Sequence, residues 1–191
     1  NLLASDKSSE ALSFLLDYAN KFDVNIVIDA NWREIFWDNS NKTSQLQKTN
    51  HIKIIKNFLS NGDILKLSYE EAILFFGIDI PSQISQSLPK KPDVIITNGD
   101  QPINWFINGI QDKTKVIKSS RIVDTTGAGD SFLAGIISRF LNINKDSDRK
   151  SITNHIQFAS TCGLISCLGE GAIEPQPNIK EVQDFYKDLG L

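Results

Sequence analysis

The 191-residue sequence contains no methionine, two cysteines and two histidines. Cys162 and Cys167 lie five apart in a helical pattern with no His pair beside them, so a zinc site is not expected. Two free, buried thiols in a reducing cytoplasm are expected instead. Long apolar runs are also missing. Ile26-Val27-Ile28 and Val94-Ile95-Ile96 fall far short of the ~20 residues that a membrane helix needs. No block of basic charge occurs, and 20 Lys plus Arg against 23 Asp plus Glu leave a net charge of -3. Neither nucleic acid nor an anionic membrane is therefore an expected partner. A Gly-x-x-x-x-Gly-Lys-Ser/Thr loop is absent, as is a Gly-x-Gly-x-x-Gly opening the first β-α turn, which excludes a P-loop kinase and a Rossmann dehydrogenase. There is no secretory signal, and a start at Asn1 with no Met is what a chain lacking its natural N-terminus would show.

What is present is an ordinary globular balance, 40% hydrophobic and 23% charged, enough for one domain with a sizeable core. Ala11, Leu12, Leu15, Leu16 and Ala19 make a helical stripe between Ser8 and Phe22. The run Val24 to Ile28 reads as a buried strand ending at Asp29-Ala30-Asn31. After a polar stretch from Asp38 to Asn50, read as a surface loop, Ile52, Ile55 and Leu59 mark a helix and Ile64 to Leu67 a strand. Tyr69 to Phe76 is a helix stopped by Gly77, and Val94 to Thr97 a third strand. Helices alternating with short β-rich runs predict an α/β fold, a three-layer αβα sandwich with a mainly parallel central sheet. Trp105-Phe106-Ile107, Asn108-Gly109 and Val116-Ile117 read as a hairpin closing one edge. Helices follow over about Ala128 to Leu141, Ser151 to Cys167 and Ile179 to Leu189. Ligands in such sheets sit beyond the carboxyl ends of the strands, which directs attention to Asp29 to Arg33, Ser68 to Glu71 and Thr97 to Gly99.

The segment Val123-Asp124-Thr125-Thr126-Gly127-Ala128-Gly129-Asp130-Ser131-Phe132 carries the chemistry. Phe132, Leu133, Ile136, Ile137, Phe140 and Leu141 form an apolar stripe behind it, so the glycine-rich turn opens a helix. Backbone N–H groups at such an opening are unpaired and partly positive, and they suit phosphate oxygens. Asp130, in the first turn, is placed to take a proton from an attacking hydroxyl while the amides of Gly127, Ala128 and Gly129 hold the transferred group. The structural alternative is a helix start capped by Thr125 or Thr126.

The whole run resembles the second signature of the ribokinase-like (PfkB) carbohydrate kinases. The resemblance implies ATP and Mg²⁺ as cofactors, a monovalent cation such as K⁺, a sugar substrate and a homodimer of the full-length enzyme. It extends beyond the signature. Asp29-Ala30-Asn31-Trp32-Arg33, with Trp37 following, is similar to the Asp-Pro-Asn-x-Arg segment of fructokinases and 2-keto-3-deoxygluconate kinases. There Asn31 would serve the phosphate side and Arg33 the sugar, while Ala30 replaces the usual Pro. Lys66-Leu67-Ser68-Tyr69-Glu70-Glu71 resembles Asn-x-x-Glu, with Ser68 in the Asn position and Glu71 holding Mg²⁺ through water. Thr97-Asn98-Gly99 resembles the Thr-x-Gly that touches nucleotide phosphates, although Pro102 stands where a further Gly is usual. Asp124 and Thr126 match the positions of a monovalent-cation site, or else make turn and cap hydrogen bonds. Phe158-Ala159-Ser160 through Gly169-Glu170-Gly171-Ala172 resembles the helix and loop against adenine, Ser160 among the nucleotide contacts, and the small residues equally suit close helix packing.

The chain is expected to be the C-terminal nucleotide-binding and catalytic portion of such a kinase, over residues 1–191, without its N-terminal strands and lid. A fructokinase or keto-sugar-acid kinase fits best. A ribokinase, a nucleoside kinase or a catalytically silent nucleotide-binding relative is the alternative, and retention of Asp130 speaks against the silent one.

Overall fold

The apolar run Ile64-Leu65-Lys66-Leu67 carries no break, and every one of its residues is buried. It forms β2 (Ile64–Ser68) in a computed structural model of the chain, which describes residues 2–37, 45–140 and 147–188. A five-stranded sheet has the order β1-β2-β3-β4-β5, with β1 at Val27–Asp29, β3 at Asp93–Thr97, β4 at Ile103–Ile107 and β5 at Ile110–Thr114. β1 and β3 flank β2 in parallel, with Asp29 opposite Lys66 and Ser68 opposite Thr97. β4 runs antiparallel to β3. Asn108 (φ 51°) and Gly109 (φ 78°) lie between β4 and β5, both in the left-handed region that a tight two-residue hairpin turn demands.

By contact the chain divides into two compact units, 1–97 with 104–111 and 98–103 with 112–191. In the first, Leu65, Leu67, Val94 and Ile96 from the strands meet Leu59, Ala72, Phe75 and Ile84 from helices in one buried cluster. The helices here are α1 (Asp6–Lys21), α2 (Gln45–Leu59), α3 (Tyr69–Phe76) and α4 (Pro81–Ser87). α3 is closed at both ends by local chemistry. Ser68 and Glu71 make a reciprocal capping box, and Gly77 at φ 72° ends the helix. α4 starts on Pro81, whose fixed φ suits a first helical position.

The second unit is helical: α5 (Ala128–Phe140), α6 (Arg149–Ser166) and α7 (Ile179–Asp188). Asp148 caps α6 by accepting the Ser151 N–H at 2.8 Å. α5 and α6 lie close because both are notched. An added Cβ on Gly135 would stand 2.8 Å from the Ala159 Cα, and one on Gly163 would stand 3.0 Å from the Ala128 carbonyl oxygen.

Five details differ from the sequence reading. The strand expected from Val24 begins only at Val27. The second hairpin strand is Ile110–Thr114 rather than Val116-Ile117, because the tight Asn-Gly turn sends the chain straight back. Residues 45–50, read as loop from their polarity, are the first turns of α2, and 38–44 lie outside the described residues, as do Leu141 and Leu189. α1 carries the expected apolar stripe yet buries none of its residues. The polar sequence between Ile80 and Leu88 gave no sign of α4.

Candidate active site

In the first unit the polar ends of two parallel strands are tied together. Lys66 is buried within β2, where an isolated ammonium would be costly, and its Nζ lies 3.1 and 3.2 Å from the two Asp29 carboxylate oxygens. Both side chains are about nine-tenths buried, so the pair joins β1 to β2 directly below the Ala30-Asn31 loop. Asn31 takes a left-handed conformation (φ 41°), which asparagine tolerates better than most residues and which turns the chain sharply.

Glu71 secures the same loop from the other side. Its Oε1 accepts the backbone N–H of Trp32, its Oε2 accepts the Ser68 N–H at 2.8 Å, and the Ser68 hydroxyl accepts the Glu71 N–H at 3.2 Å. Glu71 is buried, yet each of its oxygens is satisfied. Trp32 completes the arrangement through its ring, 5.4 Å from Trp37 and edge-on to Phe75 at 6.1 Å. Thr97, opposite Ser68, turns its hydroxyl to the Leu67 carbonyl at 3.4 Å. Arg33 is exposed just past the loop, ahead of the short 3₁₀ turn Glu34–Phe36. The structure thus gathers Asp29, Trp32, Lys66, Ser68 and Glu71 into one connected set.

The second unit holds the glycine-rich turn. Gly127 adopts φ 81°, and a Cβ there would meet the Ala172 backbone at 3.0 Å and the Gln176 amide nitrogen at 3.1 Å. Only glycine fits on both counts. α5 begins at the next residue, and its first i→i−4 bond runs from the Ser131 N–H to the Gly127 carbonyl at 2.9 Å. The amides of Gly129 and Asp130 precede that first bond, so helix geometry leaves them pointing outward. Asp130 is exposed in this first turn.

Asp124 braces the turn from behind. Its Oδ1 accepts both the N–H and the hydroxyl of Thr126 at 2.9 and 2.7 Å, and its Oδ2 accepts the Gly171 N–H at 3.0 Å. The Thr126 hydroxyl first, then the Thr126 and Gly171 N–H groups, hold the Asp124 carboxyl below the usual range. Gln176 reaches the Ala172 carbonyl at 2.9 Å and the Gly127 carbonyl at 3.4 Å, locking the 171–172 loop to the turn. Ala159 and Gly163 meet α5, which is the packing role of small residues in α6, while Ser160 is buried beside them. Gly99, also left-handed at φ 53°, follows β3.

The model of the "pfkB family carbohydrate kinase" matches residues 3–179 of this sequence. The chain belongs to that family. Fructokinase-1 of Zea mays is 30% identical over 158 residues, covering 81% of this chain and 46% of that protein. An ATP-dependent 6-phosphofructokinase of Thermoanaerobacterium thermosaccharolyticum is 26% identical over 195 residues, covering 96% and 53%. The chain spans about half the length of the curated relatives it matches. Among solved structures, fructokinase with bound ATP from Xylella fastidiosa superposes with a TM-score of 0.82 at 20% identity, over 100% of this chain and 60% of that one. Fructokinase from Vibrio cholerae O395, in a fructose, ADP and calcium ion bound form, gives 0.79 at 22%, over 96% and 57%. These likenesses show the ribokinase-like α/β fold.

Within this pfkB-family chain, two residues of the geometry escaped the sequence reading. Lys66 carried a signal, since a charged residue inside an otherwise apolar strand needs a partner. Gln176 carried none, because it lies 49 residues from Gly127 in an irregular segment.

Proposed function

We propose that this chain forms the nucleotide-binding and catalytic part of an ATP-dependent sugar kinase, fructokinase-like in its acceptor. One observation carries the reading. α5 opens directly after a left-handed glycine with no room for a side chain, and it presents free first-turn amides beside the exposed carboxylate of Asp130. A phosphate group fits such an opening, because the outward amides and the helix dipole both favour negative charge. Within it, the amides of Gly127 and Gly129 hold phosphoryl oxygens, while the Ala128 N–H, expected to join them, donates to the Thr125 carbonyl at 3.2 Å; Asp130 accepts the proton of the acceptor hydroxyl as the new O–P bond forms. ATP, when bound, supplies the phosphoryl group, its terminal P–O bond breaking as ADP leaves.

The remaining assignments belong to the same proposal. Asn31, Ser68, Thr97, Gly99, Thr126 and Ser160 serve the nucleotide and Arg33 the sugar. Glu71 donates both carboxylate oxygens to the framework as acceptors of backbone N–H groups. Each oxygen keeps a further lone pair, which fits contact with Mg²⁺ through water rather than direct ligation. Asp124 and Thr126 offer oxygens to a monovalent cation, but their hydrogen bonds already give them work in the turn. A sugar substrate, a cytoplasmic location and a homodimer of the longer protein complete the reading.

The test is a titration of this chain with ATP and Mg²⁺, beside an ADP-release assay with fructose, ribose and 2-keto-3-deoxygluconate. ATP binding is expected, strongly weakened by Gly129→Val in a folded variant. Turnover by the chain alone is expected to be slow, since the relatives are about twice as long and positioning of the acceptor is worth ~7–11 kcal/mol of barrier. Unchanged ATP affinity in Gly129→Val would place the phosphates elsewhere.

A further inference from the structure

The second unit has a groove of its own, about 640 Å³, at the far end of α5 from the glycine turn. Arg139 lies eleven residues beyond Ala128, about 16 Å along the helix at 1.5 Å per residue. The groove is lined by Lys115, Arg139 and His155 with Asn154, Phe158 and Tyr186, and among the described residues no carboxylate lines it. On α6, Asn154 and Phe158 stand one turn apart on a common face.

Arg139 sits over an aromatic ring. Its guanidinium carbon lies 3.7 Å over the Phe158 ring, and Phe158 is itself packed against Cys162 and Val182. A guanidinium stacked by one face keeps its edge N–H groups free for a planar or tetrahedral oxyanion. Among the described residues it makes no ion pair, and two carboxylates of the same unit are paired with other cations. Asp112 is bound to Arg149 at 2.9 Å, and Asp184 is bound to both Lys180 and Lys187. The Tyr186 hydroxyl is fixed by Thr161 at 3.1 Å, which sets the groove's inner wall. Burial first, then the Arg139 charge, hold the His155 imidazole below its ordinary range, so it enters the groove as a neutral hydrogen-bonding group. Two cations, a neutral imidazole and an amide around an aromatic floor suit a small dianion attached to a compact organic body.

We propose that this groove is a second binding site, separate from the glycine turn, for the phosphate monoester of a small metabolite. Arg139 takes two phosphate oxygens along its edge, Lys115 supplies the second positive charge, and Asn154 with His155 meets the remaining oxygens or the ester's hydroxyl groups. The proposal needs no catalytic step and stands whether or not the chain phosphorylates a sugar.

The test is nuclear magnetic resonance of the isotope-labelled chain, titrated with inorganic phosphate and, separately, with glycerol 3-phosphate. Saturable shifts are expected at Lys115, Val116, Asn154, His155 and Gln157, and they should persist in Gly129→Val, which disturbs the glycine turn alone. Arg139→Gln should weaken this response by ~10-fold or more, the scale of a lost charge-assisted pair of hydrogen bonds. Should that variant fail to fold, Lys115→Gln carries the same expectation at an exposed position. Tighter binding of the ester identifies a metabolite as the source, and equal binding identifies free phosphate as sufficient. Shifts confined to Gly127–Gly129, a response unchanged by either variant, or one matched by chloride at equal ionic strength would overturn the site.

Discussion

Glu71 accepts the backbone N–H of Trp32 from 39 residues away, so the carboxylate that closes the first turn of α3 also fixes the loop after β1. Replacing it with alanine strands two N–H groups, Trp32 and Ser68, in a largely buried setting. Each stranded donor costs about 1–3 kcal/mol, so Glu71→Ala should lose about 2 kcal/mol or more in urea unfolding. A loss below about 0.5 kcal/mol, the level of ordinary surface changes, would show that water satisfies both groups.

Asp130→Asn keeps the shape of an exposed first-turn side chain but removes its ability to accept a proton. In the complete enzyme kcat should fall by ~10²-fold or more, the scale of a positioned base, with ATP affinity nearly unchanged. Turnover close to that of the parent would remove Asp130 from the mechanism.

The α5–α6 contact is set by backbone proximity at Gly135. A Cβ there would sit 2.8 Å from the Ala159 Cα, which belongs to a helix and cannot swing aside. Overpacking of this kind costs about 1–3 kcal/mol and outweighs the ~1 kcal/mol that alanine gains over glycine in a helix. Gly135→Ala should therefore lower the melting temperature, and a rise would mean that α5 and α6 can separate at no cost.

Asp93 gives a pH signature. It accepts the Asn108 N–H at 3.0 Å, and burial pushes its carboxyl from the ordinary 3.8 up to about 6. Between these values the folded chain keeps a proton that the unfolded chain has released. Stability contributed by this group is thus present below about pH 4, falls as pH rises toward 6, and is flat above. Asp93→Asn keeps an acceptor for Asn108 and should remove this slope from chemical-denaturation curves measured across that window.

α1 exposes Phe14, Leu15 and Tyr18, with Phe22 just beyond its end, and Tyr18 stacks on Phe14 at 6.2 Å and meets Phe22 at a tilt at 4.5 Å. An uncovered patch of this kind promotes association. Sedimentation should show concentration-dependent self-association of this chain, reduced by the double change Phe14→Ser with Tyr18→Ser. Identical sedimentation of the two proteins would absolve α1.

Much of this organisation was legible because it is local. The stop at Gly77, the Asn108-Gly109 turn and the helix opening after Gly127 each follow from residues a few positions apart. The partners across the chain were not. Nothing near Glu71 announces Trp32, and nothing near Gly127 announces Gln176, since both depend on which distant segments the fold brings together. α2 was misjudged over 45–50 because its first turns are polar, and polarity marks an exposed helix face as readily as a loop.

The sheet also sets an order in time. Asp29 and Lys66 face each other at a sequence separation of 37, and Thr97 meets Leu67 at 30, whereas Asn108 reaches Asp93 at only 15. Chain closure costs more for wider separations, and pairings of long range come late. The β4–β5 hairpin, seeded by its tight Asn108-Gly109 turn, can assemble on the scale of microseconds that hairpins need. β1 must wait for α2 and β2. The loop that holds Asn31 and Arg33 is therefore expected to be the last part of this sheet to acquire its shape, and slow folding variants should betray themselves there first.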